Sequence, residues 1–192
     1  TLNLAPAVAV RLTERIDVGA SLGAQYATAE AALSVGNDAT FYGPPAGLPD
    51  GQLRVSGRSW APVANLGLAY RADGGSTVGV AWTSAVAHSI DLDASANALH
   101  PMLGAMLHAQ GPAELEFALP QQVTASVTQP LGERTLLAAS AGWQQWSRFG
   151  EADLRFAGRT APMFEYGLED TWSVALGARH RLDRRWTLSA GL

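Results

Sequence analysis

The stretch IDVGASLGAQY, residues 16–26, alternates between two kinds of side chain at every step. Residues two apart in an extended chain point to the same side, so the stretch predicts a β-strand with two different faces. One face carries Ile16, Val18, Ala20, Leu22, Ala24 and Tyr26. The other face carries Asp17, Gly19, Ser21, Gly23, Gln25 and Ala27. The first set suits contact with lipid, and the second suits a polar, crowded interior.

The same alternation recurs in residues 62–70, 122–128 and 171–179. It predicts one set of residues that faces lipid and a second set that faces the interior of a barrel. The lipid-facing set includes Leu22, Leu66, Val127 and Leu176. The interior set includes Gln25, Asn65, Thr124 and Ser173.

Short charged turns separate pairs of these strands, and much longer connections join one pair to the next. The short turns lie at residues 13–15, 71–75, 131–134 and 182–185, and the long connections span about 35–57, 93–120 and 157–170. Short turns at one end and long loops at the other are typical of outer-membrane β-barrels. The fold class is therefore predicted as all-β, an antiparallel up-and-down transmembrane β-barrel.

Eight strand segments are predicted, and all neighbours are expected to be antiparallel. They cover residues 4–12, 16–34, 57–71, 76–92, 120–130, 134–149 (with an extension towards Phe156 left open), 170–181 and 185–192. Because the last segment is short, we expect residues 1–192 to form a single partial β-barrel domain of a larger barrel.

Aromatic residues lie near the ends of these segments, as in the two aromatic girdles of membrane barrels. They are Tyr26, Tyr70, Trp82, Trp143, Trp146, Trp172 and Trp186. A soluble β-sandwich also alternates, and its core also contains aromatic residues, so a soluble β-sandwich binding module stays open as an alternative.

Composition argues against several function classes. The chain has no Cys, and all 13 of its cationic residues are Arg within a net charge of −4, so neither a thiolate metal site nor a nucleic-acid surface is indicated. The four His residues lack ligand spacing with carboxylates, so we expect no metal and no cofactor. The G-x-S-x-G pattern at residues 19–23 lies inside an alternating strand rather than at a strand-to-helix turn, so we do not expect an enzyme.

Three stretches resemble the FadL family of outer-membrane transporters (OMPP1/FadL/TodX). The first runs from Ser59-Trp60 to His88. The second starts at Leu119-Pro120 and ends in the W-x-x-W-S-x-F pattern at 143–149. The third is the D-T-W-x-x-A-L-G pattern at 170–177 and its continuation to Gly191.

The resemblance implies the middle-to-late part of a fourteen-stranded barrel in the outer membrane of a Gram-negative bacterium. The family's N-terminal hatch, its early kinked strand and its final strands are expected to be absent from these 192 residues. The implied function is passive uptake of long-chain fatty acids or other hydrophobic small molecules through a barrel that is monomeric and surrounded by outer-membrane lipid. A structural or adhesive barrel without transport is the alternative.

A cluster of apolar residues in the 93–117 connection is the main candidate for ligand contact. Leu99, Met102, Leu103, Met106 and Leu107 have helical spacing in a loop that is expected to meet water. Flexible Met side chains suit varied ligands, and exposed apolar patches mark interaction sites. Packing of the cluster on the barrel mouth is an equal alternative. Phe41 and Tyr42 are candidates for the same rim, and Arg148 and Arg155 are candidate partners for a carboxylate head group.

Overall fold

The computed structural model describes residues 1–37, 49–102, 104–105, 113–149, 151–156, 159–165 and 167–192. For 151–156 and 159–165 it describes the backbone, and no side chain between 150 and 166 is considered below. No helix in these ranges has the length and hydrophobicity needed to cross a bilayer.

Thirteen antiparallel strands of the described chain form one sheet. They are β1 (Leu2–Leu4), β2 (Ala7–Arg11), β3 (Ile16–Val35), β4 (Gly51–Arg71), β5 (Thr77–Thr83), β6 (Val86–Asn97), β7 (Ala113–Leu119), β8 (Gln122–Leu131), β9 (Thr135–Gln144), β10 (Glu151–Phe156), β11 (Arg159–Glu165), β12 (Thr171–Arg181) and β13 (Thr187–Gly191). The strand order is β11-β10-β7-β6-β4-β5-β8-β9-β12-β13, and β3 joins β4 to β1 and β2. The prediction of an all-β antiparallel fold is confirmed.

The four short turns lie at the same end of the sheet, as predicted. They follow β2, β4, β8 and β12, and backbone hydrogen bonds connect neighbouring turns. The amide of Arg71 donates to the carbonyl of Arg15 at 2.7 Å, and the amide of Arg181 donates to the carbonyl of Arg134 at 2.8 Å. The end of the sheet that carries these turns is called the turn end below, and the opposite end is called the loop end.

The sheet has one apolar exposed face, called the outer face. Leu22, Leu66, Val127 and Leu176 lie on it and are 69%, 53%, 39% and 51% exposed. Gln25, Asn65, Thr124 and Ser173 lie on the opposite face, called the inner face. Each is an odd number of positions from one of these leucines or from Val127 in the same strand, and side chains at odd separations point to opposite faces. The predicted division of these residues between two faces is confirmed.

Aromatic residues mark two levels on the outer face. Near the loop end Tyr26 contacts Trp60 with ring centroids 4.9 Å apart, and Trp143 contacts Trp172 at 6.5 Å. Towards the turn end Tyr70 and Trp186 are both exposed. Beyond Trp60 the outer positions of β4 become polar, and these positions hold Gln52, Arg54, Ser56 and Arg58. The apolar band of β4 therefore runs from Trp60 to Tyr70.

Several predicted strand bounds are wrong at the loop end. β4 begins at Gly51 rather than at 57, β6 continues to Asn97, and β7 begins at Ala113. These extensions pair fully with their neighbours, as Val35 with Gly51 and Gln52 with Asn97 show. The prediction placed loops here because the apolar outer positions stop, but backbone pairing does not require an apolar outer face. The 157–170 connection likewise contains β11 instead of being a loop throughout.

The segment 76–92, which was predicted as a single strand, is divided by a kink at Ser84-Ala85 into β5 and β6. The predicted strand 120–130 corresponds to β8, whereas β7 lies in the connection that was predicted as a loop and is separated from β8 by Pro120-Gln121. Inner-face positions are odd-numbered in β5, as at Thr83, and even-numbered in β6, as at His88, so the kink reverses the alternation. Pro120 contributes because it has no amide hydrogen for the ladder.

The predicted segment 134–149 ends as a strand at Gln144 and continues as a 3₁₀ turn, Trp146–Arg148. Gln121 ties this turn to the kink beside it. The carbonyl of Gln121 accepts the amide of Gln145 at 3.0 Å, and its side-chain amide donates to Oε1 of Gln145 at 2.9 Å. The indole of Trp82 donates to Oε1 of Gln121 at 3.3 Å. The neighbouring kinks therefore lie at one level of the wall.

Candidate ligand passage on the inner face

The kink in the β5–β6 segment brings His88 onto the inner face against two other strands. Its Nδ1 lies 2.7 Å from Oγ of Ser59 on β4, and its Nε2 lies 3.1 Å from Oε1 of Gln25 on β3. The imidazole also stacks on the ring of Phe117, with centroids 5.2 Å apart and planes inclined by 24°. Residues from four strands thus converge on one imidazole ring, which is only 2% exposed.

The His88 cluster lies beside a cluster of buried hydrophobic residues. Ala61, Val63 and Val86 pack together with Leu119, and the first three are nearly fully buried. Ile90 is fully buried two residues beyond His88. Gly57 allows this packing, because a Cβ atom there would lie 2.4 Å from Cγ2 of Ile90 and from the carbonyl of Asp91. The inner face at the kink is therefore apolar, with a small polar group at its centre.

The backbone ladder of the wall is interrupted at the same level. β4 pairs with β5 as far as Asn65–Thr83, and it pairs with β6 again only from Arg58–Asp91. Between them, the amide of Ser84 donates to the carbonyl of Ala64 at 2.9 Å, and Oγ of Ser84 accepts the amide of Ala64 at 3.0 Å. Pro62 lies in the interrupted stretch and cannot donate to a ladder. Side-chain packing and the His88 hydrogen bonds replace the ladder here.

A second polar cluster lies on the inner face nearer the turn end. Nδ2 of Asn65 donates to Oγ of Ser21, and Oγ1 of Thr83 donates to Oδ1 of Asn65, both at 2.8 Å. Its surroundings are small residues, which line a shallow cavity of about 340 Å³. They include Gly19, Gly67, Ala69, Gly79, Ala81, Thr124 and Ser126. The described part of the inner face therefore has no charged side chain between the His88 cluster and Asp17, which lines the same cavity and contacts Arg11 and Arg71.

The predicted rim residues are only partly described. Leu99 is half-buried and packs against Gly51, where its Cδ2 atom would lie 2.6 Å from an added Cβ. Met102 is 53% exposed. Asn37 holds the base of this loop: its Nδ2 donates to the carbonyls of Pro49 and Ala98 at 2.6 Å, and its Oδ1 accepts the amide of His100 at 2.7 Å. Leu103, Met106, Leu107, Phe41 and Tyr42 lie outside the described residues.

The two candidate arginines occupy different places. Arg148 is exposed on the 3₁₀ turn and lines a cavity of about 450 Å³ together with His88, Ser89, Glu116 and Phe117. Arg155 lies on β10 in backbone register with Glu114, and its side chain is outside the described part. The structure thus brings Arg148 near the His88 cluster and gives no such placement for Arg155.

The two most specific sequence patterns contact each other. The amide and the hydroxyl of Ser147 both donate to Oδ1 of Asp170, at 3.2 and 2.6 Å. The hydrogen bond from the Ser147 hydroxyl is the main reason that the pKa of Asp170 lies below its usual value. Trp143 and Trp172 meet across the β9–β12 ladder. The patterns at 143–149 and 170–177 therefore form one structural unit at the loop end.

No set of three or more His, Asp or Glu side chains in the described ranges converges on a point where a metal ion could bind. The His88 cluster was missed in the sequence, because its members lie 29 and 63 residues apart along the chain. The sequence offered one signal: Ser59 and His88 are the first and last residues of the first stretch that resembles the FadL family.

Comparison with known proteins agrees with the fold. The family model for outer membrane protein transport proteins (OMPP1/FadL/TodX) matches residues 1–192. The chain belongs to this family. It is accordingly an outer-membrane β-barrel protein of a Gram-negative bacterium. No curated protein matches the chain.

Solved FadL/TodX-type structures share the fold at low identity. A Pseudomonas aeruginosa FadL homologue has a TM-score of 0.75 at 19% identity, over 98% of this chain and 48% of that one. The Ralstonia pickettii toluene transporter TbuX gives 0.62 at 18%, over 98% and 54%. The monoaromatic hydrocarbon channel CymD gives 0.61 at 20%, over 98% and 57%. The chain thus spans about half the length of the structures it matches.

Proposed function

We propose that the protein is an outer-membrane channel for the passive uptake of hydrophobic small molecules, with long-chain fatty acids as the main substrate class. The observation that carries this proposal is the inner face between the His88 cluster and the turn end. Apart from Asp17, which contacts Arg11 and Arg71, its described side chains are uncharged; it is lined mainly by small side chains and backed by an apolar outer face that fits lipid. A monomeric barrel in outer-membrane lipid is part of the same proposal.

The polar groups of the inner face favour passage over tight binding. Ser59, His88 and Gln25 satisfy one another, and so do Ser21, Asn65 and Thr83. No buried side-chain nitrogen or oxygen in the described residues lacks a hydrogen-bond partner. A hydrophobic ligand that enters therefore does not have to cover a buried polar atom that lacks a hydrogen-bond partner. Burial of each ligand CH₂ group contributes about 0.8 kcal/mol, which is enough to draw an acyl chain out of water.

Capture is proposed to take place at the loop end. Met102 is exposed there on a loop whose base is fixed by Asn37 and Leu99. Leu103, Met106 and Leu107 follow it in the sequence with helical spacing, and Phe41 and Tyr42 belong to the neighbouring connection. A fixed base with an apolar tip suits transient contact with varied hydrophobic molecules.

Monoaromatic hydrocarbons are a second candidate substrate class, favoured by one observation. Phe117 and the imidazole of His88 present stacked rings at the kink, and flat rings prefer such offset arrangements. TbuX and CymD, which share the fold, are described as a toluene transporter and a monoaromatic hydrocarbon channel. A purely structural barrel is disfavoured, because it has no use for a neutral inner face with space beside small residues.

Uptake by cells tests the proposal. The full-length protein is expressed in a Gram-negative host that lacks its own hydrophobic uptake channels, and entry of labelled oleate and labelled toluene is measured. We expect faster entry of oleate than in cells with an empty vector. Faster entry of toluene alone would support the second substrate class instead. If neither compound enters the expressing cells faster than the empty-vector cells, although the barrel is present at the surface, the proposal of transport is contradicted.

A further inference from the structure

Three arginines on the inner side of the turn end have no carboxylate partner among the described residues. Arg134 lies in the turn between β8 and β9, and Arg179 and Arg181 end β12. Arg179 pairs across the ladders with Leu136 and Ser189, whose positions belong to the inner face. Arg181 is held in place, because its amide donates to the carbonyl of Arg134 at 2.8 Å and its Nη2 donates to the carbonyl of Glu133 at 3.1 Å.

Three arginines near the first two turns behave differently. Arg11 and Arg71 both contact the carboxylate of Asp17, and Arg15 contacts that of Asp73. The ion pairs of the described residues at the turn end therefore lie around the first two turns, and none involves the turns after β8 and β12.

The acidic residues closest to the three arginines do not neutralise them. Oδ1 of Asp183 accepts the amides of Arg185 and Trp186 at 2.6 and 2.8 Å, which ties this carboxylate to its own turn. Glu133 lines the same region but forms no ion pair in the described chain. With Arg184 on the adjoining rim, four guanidinium groups face two carboxylates.

The three arginines surround a cavity of about 370 Å³. Its remaining walls include Pro130, Leu136 and Thr187, so apolar surface and hydroxyl groups adjoin the guanidinium groups. A second cavity of about 570 Å³ continues towards the tip of the turn and shares Arg134 and Arg181 with the first. A charged head group with an apolar tail finds both kinds of contact here. The cationic members of this cavity, Arg134, Arg179 and Arg181, are called the arginine pocket below, and Glu133 is the acidic residue that lines the same cavity.

We propose that the arginine pocket binds the carboxylate of a hydrophobic acid as it reaches the turn end of the inner face. This inference rests on the proposed passage of hydrophobic molecules along that face. Guanidinium groups bind carboxylates through paired, charge-assisted hydrogen bonds, which are the strongest in proteins. The described inner-face positions around Asn65 carry no cation that would compete for the carboxylate. Salt limits the attraction of the arginine pocket to about one Debye length, roughly 8 Å. The pocket thus gives the passage a preference for acids over neutral compounds of the same length.

The test compares two ligands with the same tail. Binding of octanoate and of 1-octanol to the full-length barrel in neutral nanodiscs is measured by calorimetry, for the native protein and for Arg179→Gln/Arg181→Gln. Arg11→Gln/Arg15→Gln is the matched control, because it removes two arginines from the same end that already contact carboxylates. Folding of each variant is checked by heat-modifiable migration on a gel.

We expect the Arg179→Gln/Arg181→Gln variant to lose at least about tenfold in octanoate affinity and nothing in octanol affinity. The control variant should keep native affinity for both ligands, and added salt should weaken only octanoate binding to the native protein. Unchanged octanoate affinity in the pocket variant, with octanol still bound, would overturn the arginine pocket and leave the proposed function intact. Failure of the native protein to bind octanol would instead count against the proposed function.

A third ligand separates two sources of negative charge. Octyl phosphate carries the head group chemistry of a membrane phospholipid on the same tail. Arginine-dependent binding of octanoate at least as tight as that of octyl phosphate supports the carboxylate assignment. If octyl phosphate binds to the native protein and octanoate does not, the carboxylate assignment is overturned.

Discussion

The imidazole Nδ1 of His88 lies 2.7 Å from the hydroxyl of Ser59, at the level where β4 and β6 share no backbone ladder. One side-chain hydrogen bond thus connects two strands where backbone bonds usually do so. Its second bond, to Gln25, extends the connection to β3. The wall at the kink is therefore held by side chains, and its stability there depends on a few named residues.

His88→Ala should destabilise the folded barrel by about 1–3 kcal/mol, because it leaves Ser59 and Gln25 without their partner in a buried site. Urea unfolding in liposomes, followed by tryptophan fluorescence, measures this change. His180→Ala is the control, since His180 also bonds a hydroxyl, that of Thr135, but is exposed. We expect the control to change stability by less than about 0.5 kcal/mol. Equal effects of the two substitutions would show that the His88 cluster does not hold the kink.

Gly57→Ala should destabilise the barrel by about 1–3 kcal/mol, because the added methyl group collides with Ile90 and the backbone of Asp91. Gly67→Ala is the matched control on the same strand and face, where the nearest atom is 4.0 Å from the added carbon. The same urea titration distinguishes them. Equal loss of stability in both variants would mean that any alanine at a glycine position of β4 destabilises the strand, and that the close approach of β6 to Gly57 is not the cause.

Leu176→Arg should destabilise the barrel by about 2–4 kcal/mol, because it places a charge on the outer face of β12, which we expect to meet lipid near the middle of the bilayer. Leu168→Arg, in the connection before that strand, should change stability little. Unfolding titrations in liposomes give both values. A Leu176→Arg barrel as stable as the native one would argue that this face does not meet lipid.

Replacing Met102, Leu103 and Met106 together by Ser should slow uptake of labelled oleate without weakening the barrel. The reason is that the loop adds apolar contact for an entering ligand, whereas the sheet is held by its ladders. Uptake and surface expression are measured in parallel in the same cells. Ala32→Ser, a change at an exposed outer-face position of β3 near the same end, is the control. Native uptake rates in the triple variant would mean that the cluster packs on the barrel mouth and does not capture ligand.

The sequence predicts the features that depend on neighbours along the chain. Alternation in 16–26 places Leu22 and Gln25 on opposite faces, and the charged residues around Asp73 and Asp183 mark the turns. The extension of β4 to Gly51 was missed, because the outer positions from Gln52 to Arg58 lose the apolar signal while backbone pairing continues.

The candidate site was less predictable from the sequence. The bond between His88 and Gln25 joins residues 63 positions apart, and no local pattern encodes it. The kink at Ser84-Ala85 was also hidden, since both halves alternate and only the phase changes. Contacts that depend on the curvature of the whole wall require three-dimensional information.

The reversed alternation between Thr83 and Val86 has a consequence for how the gene can vary. Removing one codon at this kink would restore an uninterrupted alternation and would leave His88 towards the lumen and Asp91 towards lipid. The extra residue is therefore needed for the bend and not for the direction of the side chains. A one-residue deletion within a regular part of a strand would instead exchange the two faces of everything beyond it.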